Sequence, residues 1–233
     1  MLELPPLTLY IHFPWCIKKC PYCDFNSHTL RREIPEQQYI EQLLNDLRRD
    51  LTAVQQRPIQ AIFMGGGTPS LFSPKSMALL LQSLQQEVNF APDIEITLEA
   101  NPGTVEQARF AGYHQAGINR LSLGVQTFSA AKLKRLGRIH DDEEAIKAIR
   151  AARQAGFTNF NIDIMYGLMQ QTIEQGLQDL QQAISQQPSH ISWYQLTLEP
   201  ETYFYKFPPA LPNEGDILNL YESGKQLLAN HGF

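Results

Sequence analysis

Only three cysteines and two tryptophans occur among the 233 residues, and other features are missing with them. No run of Lys and Arg breaks the balance of 19 basic against 24 acidic side chains, a formal net charge of −5. Without a basic stripe there is no electrostatic footprint for nucleic acid or an anionic membrane surface. No apolar run approaches the roughly 20 residues that a membrane-spanning helix needs. The opening "MLELPPLTLYIHF" carries an early Glu3, no basic residue before Pro14 and no small-residue cleavage site, so no secretory leader is expected. Three thiols without an export signal read as metal ligands or redox groups rather than disulfide staples. The expectation is a cytoplasmic protein without an integral membrane segment.

Apolar residues make up 43% and charged residues 18% of the chain, the balance of an ordinary globular protein whose length suits one large domain. Short apolar runs alternate with longer amphipathic ones. Strands are predicted at 7–13, 60–64, 93–99, 119–125, 158–165 and 190–198. Helices are predicted at 36–56, after Pro35, at 75–88, after Ser73-Pro74, and at 142–156, ending on Gly156. Thr104 with Gln107, and Thr172 with Gln175, have capping-box spacing before further helices. Six successive β-then-α units imply parallel strands joined by right-handed crossovers.

The two faces of the predicted strands differ. Leu7, Leu9, Ile11 and Phe13 alternate with Thr8, Tyr10 and His12. Ile94, Ile96 and Leu98 oppose Glu95, Thr97 and Glu99. Leu121, Leu123 and Val125 oppose Ser122, Gly124 and Gln126, and Ile162 and Ile164 oppose Asn161 and Asp163. A central strand of a flat parallel sheet, covered by helices on both sides, should be apolar on both. One greasy and one polar face instead suggest helices outside and a polar, hydrated interior. The fold class expected is α/β, an incomplete, laterally open (βα)6 TIM-like barrel. Residues 1–206 would form this core. The Pro-rich "FPPALPNEG" opens a link and last helix, 207–233, leading to a C-terminal domain that this sequence does not contain.

All three cysteines fall within "HFPWCIKKCPYCDFNSH", just after the first strand, at the strand end where barrel sites gather. Cys16, Cys20 and Cys23 have C-x3-C-x2-C spacing. Four readings compete: buried structural thiols, zinc with His28 as fourth ligand, a Cys20–Cys23 redox pair, and an iron–sulfur cluster with one iron left open. Structural zinc loops usually pair C-x2-C with a second, distant pair. The redox reading leaves the third thiol without a purpose. A cubane normally takes four thiolates, so three would leave a coordination position free.

At the other strand ends lie Gly65, Gly66, Gly67 and Thr68, where glycine lets backbone approach a ligand closely, or simply turns the chain. Glu99 ends the third strand pointing inward, as a ligand contact or a solvated carboxylate. Arg120, Lys134, Arg135 and His140 receive no role, Leu133 and Leu136 read as core, and lone His190 and His231 read as structural. No C-x2-C-H haem attachment motif occurs.

C-x3-C-x2-C with an aromatic before the last cysteine resembles the signature of the radical SAM (S-adenosylmethionine) superfamily. "YIHFPWCIKKCPYCDFNSH", "GGGTPSL", "EANPGT", "LSLGVQTF", "LKRLGRIH" and "NIDIMYGL" resemble, more narrowly, the branch holding oxygen-independent coproporphyrinogen III oxidase and the haem chaperone HemW. The resemblance implies a [4Fe–4S] cluster on Cys16, Cys20 and Cys23, with SAM on the fourth iron. Gly66 and its neighbours would hold the methionine part of SAM, Glu99 the ribose hydroxyls, and Tyr10 would help seat the molecule. Gln126, Arg138 and Asp163, with Gly67, Thr68 and Tyr22, match the pattern of a second SAM site. It further implies a reductant such as flavodoxin or ferredoxin, and haem as cargo for an unnamed acceptor protein. The alternative is oxidative decarboxylation of porphyrinogen propionates. Phe25 stands where the oxidases compared carry a further cysteine, the oxidases' N-terminal extension is lacking, and "CPYCDFNSH" is closer to HemW. The family's haem-binding H-N-x2-Y-W does not occur, so no haem ligand and no catalytic residue is named.

Overall fold

A computed structural model describes residues 4–233. Six parallel strands, β1 (Leu7–Phe13), β2 (Ile59–Gly66), β3 (Phe90–Ala100), β4 (Arg120–Gln126), β5 (Asn159–Tyr166) and β6 (His190–Gln195), lie side by side in chain order. β1 and β6 do not pair, so the sheet stays open. The helices are α1 (Glu36–Val54), α2 (Pro74–Glu87), α3 (Thr104–Gln115), α4 (Ala130–Arg135), α5 (Asp142–Gln154), α6 (Ile173–Ser185), α7 (Tyr203–Lys206) and α8 (Glu214–Asn230). All six predicted strands are present, and β1 begins and ends where the apolar alternation does.

The main core lies between the apolar strand face and the helices. Ile11, Phe13, Ile96, Leu98, Leu121, Leu123, Ile162 and Ile164 are buried against Ile40, Leu44, Leu80, Phe110, Ile149 and Ala183. Each fully buried branched or aromatic side chain contributes about 1.5–3 kcal/mol, so this face fixes the register and leaves the polar face free for another use. Leu133 and Leu136 are both buried, as read. On α8, Gly224 lets the helix settle onto the Trp193 ring, and Leu220 lies against Gly176 of α6, so α8 covers the outer side of β6.

Helix starts follow the capping chemistry in part. Thr172 forms the expected box with Gln175 at the start of α6. At α3 the expectation changes: the chain enters the helix one residue earlier than a Thr104 cap requires, and extended Gly103 is the N-cap. Gly156, with φ +98°, follows α5 in the left-handed conformation that glycine takes most easily.

Candidate functional site

The polar strand face forms one wall of a cavity of about 480 Å³, bordered by the cysteine loop. That is a volume suited to a cofactor or small substrate. Cys16, Cys20, Tyr22 and Cys23 lie on its loop side. Gly66, Gly67, Thr68, Glu99, Gln126, Arg138 and Asp163 lie on its strand side.

The cysteine loop is tied down along its length. Pro14 and Cys16 carbonyls accept the His28 and Leu30 amides at 2.7 Å each. Lys19 Nζ donates to the Phe25 carbonyl at 2.9 Å and the Ser27 carbonyl at 3.2 Å. The Cys23 amide closes a turn on the Cys20 carbonyl at 3.1 Å. From the next strand, Gly67 N donates to Phe13 O at 2.6 Å and Thr68 N to Trp15 O at 2.7 Å. A Cβ on Gly67 would stand 2.5 Å from the Trp15 carbonyl oxygen, so this position needs glycine for backbone-to-backbone approach. Arg109 and Tyr113 of α3 hold the following turn by donating to the Ser70 carbonyl at 3.1 and 2.7 Å.

Two of the carboxylates lining the cavity, Glu99 and Asp163, stand on its strand side. Glu99 accepts from the Gly66 amide at 3.2 Å. Burial, then the negative charge of Asp163, push its carboxyl up to about 7. Asp163 accepts from Asn161 at 2.7 Å and from Ser122 at 3.2 Å. Burial raises its pKa, and bonds from Ser192, Ser122 and Asn161 oppose the rise. Arg138 is the part-buried cation among them. It donates to the Gly124 carbonyl at 2.9 Å, to Asn101 Oδ1 and to the Cys20 sulfur at 3.6 Å, while its Nε has no partner. Tyr22, between the loop and Phe204, is raised mainly by burial.

Eleven of the twelve residues singled out by sequence border this one space, counting the three cysteines, the two glycines and the six side chains named above. Tyr10 stands apart. It sits on edge strand β1, is 55% exposed, and bonds His12 Nδ1 at 2.9 Å beside Phe63. His28, the fourth ligand of the zinc reading, is exposed and does not line the cavity. His140 is buried with Nε2 against the Val125 carbonyl at 3.2 Å, and burial lowers its pKa to about 4. Sequence reading passed over Asn101, which bonds both Thr68 and Arg138, and Tyr194, which bonds Gln126 at 2.5 Å. Alternation in β6 could have found Tyr194, because Ser192 pairs in register with Asp163.

An open parallel α/β sheet with a three-thiol loop at the carboxyl end of its first strand defines a class of cofactor-binding partial barrels. The description "Radical SAM superfamily" matches residues 10–182, and the chain belongs to that superfamily. It is 54% identical to "Heme chaperone HemW" of Haemophilus influenzae over 237 residues and 53% identical to the protein of that name from Escherichia coli over 233. Each alignment covers 100% of this chain and 62% of the relative, so the chain spans under two thirds of these curated relatives. The solved structure of Escherichia coli coproporphyrinogen III oxidase (HemN), described as a radical SAM enzyme, matches with TM-score 0.86 and 28% identity, over 97% of this chain and 53% of that one.

Membership implies a [4Fe–4S] cluster and SAM, and the residues fit both. The chain's whole thiol set borders one cavity, beside an arginine whose Nε is buried without a partner. Among the described residues no three His, Cys, Asp or Glu side chains converge as they would on a single ion. Three thiolates at C-x3-C-x2-C suit a cubane with one iron left without a protein ligand. No helix of the described residues is long and apolar enough to cross a membrane.

Proposed function

We propose that this chain is the cofactor-binding part of a HemW-like haem chaperone, which passes haem to an acceptor protein. Cys16, Cys20 and Cys23 hold the cluster, and SAM occupies the adjoining cavity. The observation that carries this reading is identity of 53–54% along the entire chain to two proteins named heme chaperone, against 28% to the oxidase of the same fold. Phe25, 56% exposed at the loop's edge, supports it, since the oxidases compared place a thiol there.

When bound, the cluster and SAM supply one-electron chemistry, with flavodoxin or ferredoxin as electron donor. The chain's own residues bind and orient. Gly66, Gly67 and Thr68 bring backbone to the cavity edge, and Glu99 accepts hydroxyl donors in its ionised form. Arg138 offers a guanidinium to a carboxylate, with bidentate geometry available to such a pair. Gln126, Asp163 and Tyr22 complete a second SAM position beside it. Tyr10 seats the ligand only if its side chain turns from the strand edge.

The test uses anaerobically loaded protein. Mixed with haem and an apo haem acceptor, it should transfer haem and leave coproporphyrinogen unchanged. Turnover of coproporphyrinogen to protoporphyrinogen would replace the chaperone reading with the oxidase one.

A further inference from the structure

The last residues of β4 do not run as a regular strand. Leu123 pairs with Ile162, but Gln126 pairs with Ile164, so β4 carries one extra residue. Such a bulge re-aims the side chain that follows it. Gln126 has φ +72°, a left-handed conformation that a side chain with a Cβ seldom adopts unless its surroundings impose it. Its side chain uses space left by Gly124, where a Cβ would stand 3.0 Å from the Gln126 Nε2.

The two residues that follow Gln126 are held from behind the sheet. Thr127 Oγ1 donates to Asp179 Oδ2 at 2.6 Å, and the Phe128 amide donates to Asp179 Oδ1 at 2.8 Å. The Ser129 amide in turn donates to Thr127 Oγ1 at 3.1 Å. Asp179 belongs to α6 and is 6% exposed, and Thr127 is fully buried. Both carboxylate oxygens are therefore spent on the two residues that follow Gln126. On the cavity side, the Tyr194 hydroxyl donates to Gln126 Oε1 at 2.5 Å.

A carboxylate inside a helix layer is costly unless it is well bonded, and burial pushes the Asp179 carboxyl up while Thr127 and Phe128 oppose the rise. A plain helix-to-sheet contact needs no such group; an apolar residue of that size would serve. The pair of bonds instead fixes one hydroxyl and one amide on the same carboxylate. We infer that Asp179 is a positioning residue: acting through Thr127 and Phe128, it holds Gln126 turned into the cofactor cavity. The consequence for SAM rests on the proposed reading of Gln126 as a contact of that ligand.

Two measurements test this separately. In the cofactor-free chain, Asp179→Asn should speed amide exchange of residues 126–129 by about tenfold and leave β3 and β5 protected. Thr127→Val should act similarly, and Thr127→Ser should restore protection. Unchanged exchange at 126–129, or a uniform rise across the sheet, would overturn the positioning role. In the cluster-loaded protein, Asp179→Asn should weaken equilibrium SAM binding about tenfold in the native background and less than about twofold beside Gln126→Ala. Equal losses in both backgrounds would also overturn it. If Gln126→Ala alone leaves SAM affinity intact, the reading of Gln126 as a SAM contact fails, and the exchange result alone decides for Asp179.

Discussion

Arg138 donates from Nη1 to the Cys20 sulfur at 3.6 Å, across 118 residues of sequence. That bond joins the segment after β4 to the cysteine loop after β1, and the same guanidinium holds the Gly124 carbonyl and Asn101. The loop that carries the thiols is thus located by the far side of the sheet as well as by its own strand.

Removing this cation should cost more than the contacts alone suggest, because buried acceptors are left unpaired. Arg138→Met is expected to lower stability by about 2–4 kcal/mol. Arg138→Lys should recover part of the loss by keeping the charge. Denaturant unfolding of the cofactor-free variants measures both. Iron retained after desalting the loaded protein should fall in the same order.

The strap between β2 and the cysteine loop predicts a difference between two glycines. Gly67→Ala would drive a methyl against the Trp15 and Phe13 carbonyl oxygens, at 2.5 and 2.8 Å. Backbone on both sides gives it nowhere to go, so a loss above about 2 kcal/mol is expected. Gly117→Ala has open space and pays only for its positive φ, about 1 kcal/mol. Equal melting temperatures for the two variants would contradict the strap.

Much of this arrangement is legible in the sequence for one reason: strand side chains alternate with a period of two. That rule places Glu99 and Asp163 on the polar face, while Gln126 reaches it through the bulge that ends β4. The same rule puts Tyr10 on that face, yet β1 has a neighbour on one side only, and its ring leans out toward His12 and Phe63. Parity gives a direction and says nothing of distance from the cavity. The bulge and positive φ at Gln126 leave no local mark, because the restraint on them is Asp179, 53 residues later. Asn101 was overlooked because its partners are distant in sequence: Thr68 follows β2, and Arg138 follows α4. The α3 cap moved from Thr104 to Gly103 because an extended glycine already ends the preceding turn.

Two buried titratable groups predict opposite pH slopes. Glu99 is raised from 4.5 to about 7, so the folded chain binds more protons than the unfolded one between those values. Its contribution to stability therefore falls as pH rises from about 4.5 to 7 and is level above that. Glu99→Gln should stabilise the cofactor-free chain at pH 8 by about 1–3 kcal/mol and do little at pH 4. His140 is lowered from 6.5 to about 4, so here the unfolded chain binds more protons, and stability falls as pH drops through that window. His140→Gln should be least harmful, relative to the native chain, near pH 4. Urea midpoints at pH 4, 5.5 and 8 measure both slopes, and parallel profiles for all three proteins would contradict them.

The central claim is that three thiols at the mouth of a polar cavity hold an iron–sulfur cluster with one iron left for a ligand. Iron, sulfide and zinc analysis after anaerobic reconstitution tests it most directly. The account predicts about four irons per chain with broad visible absorption, and loss of that iron in each of Cys16→Ser, Cys20→Ser and Cys23→Ser. Iron unchanged in those variants, or a single zinc lost with His28→Ala, would contradict it.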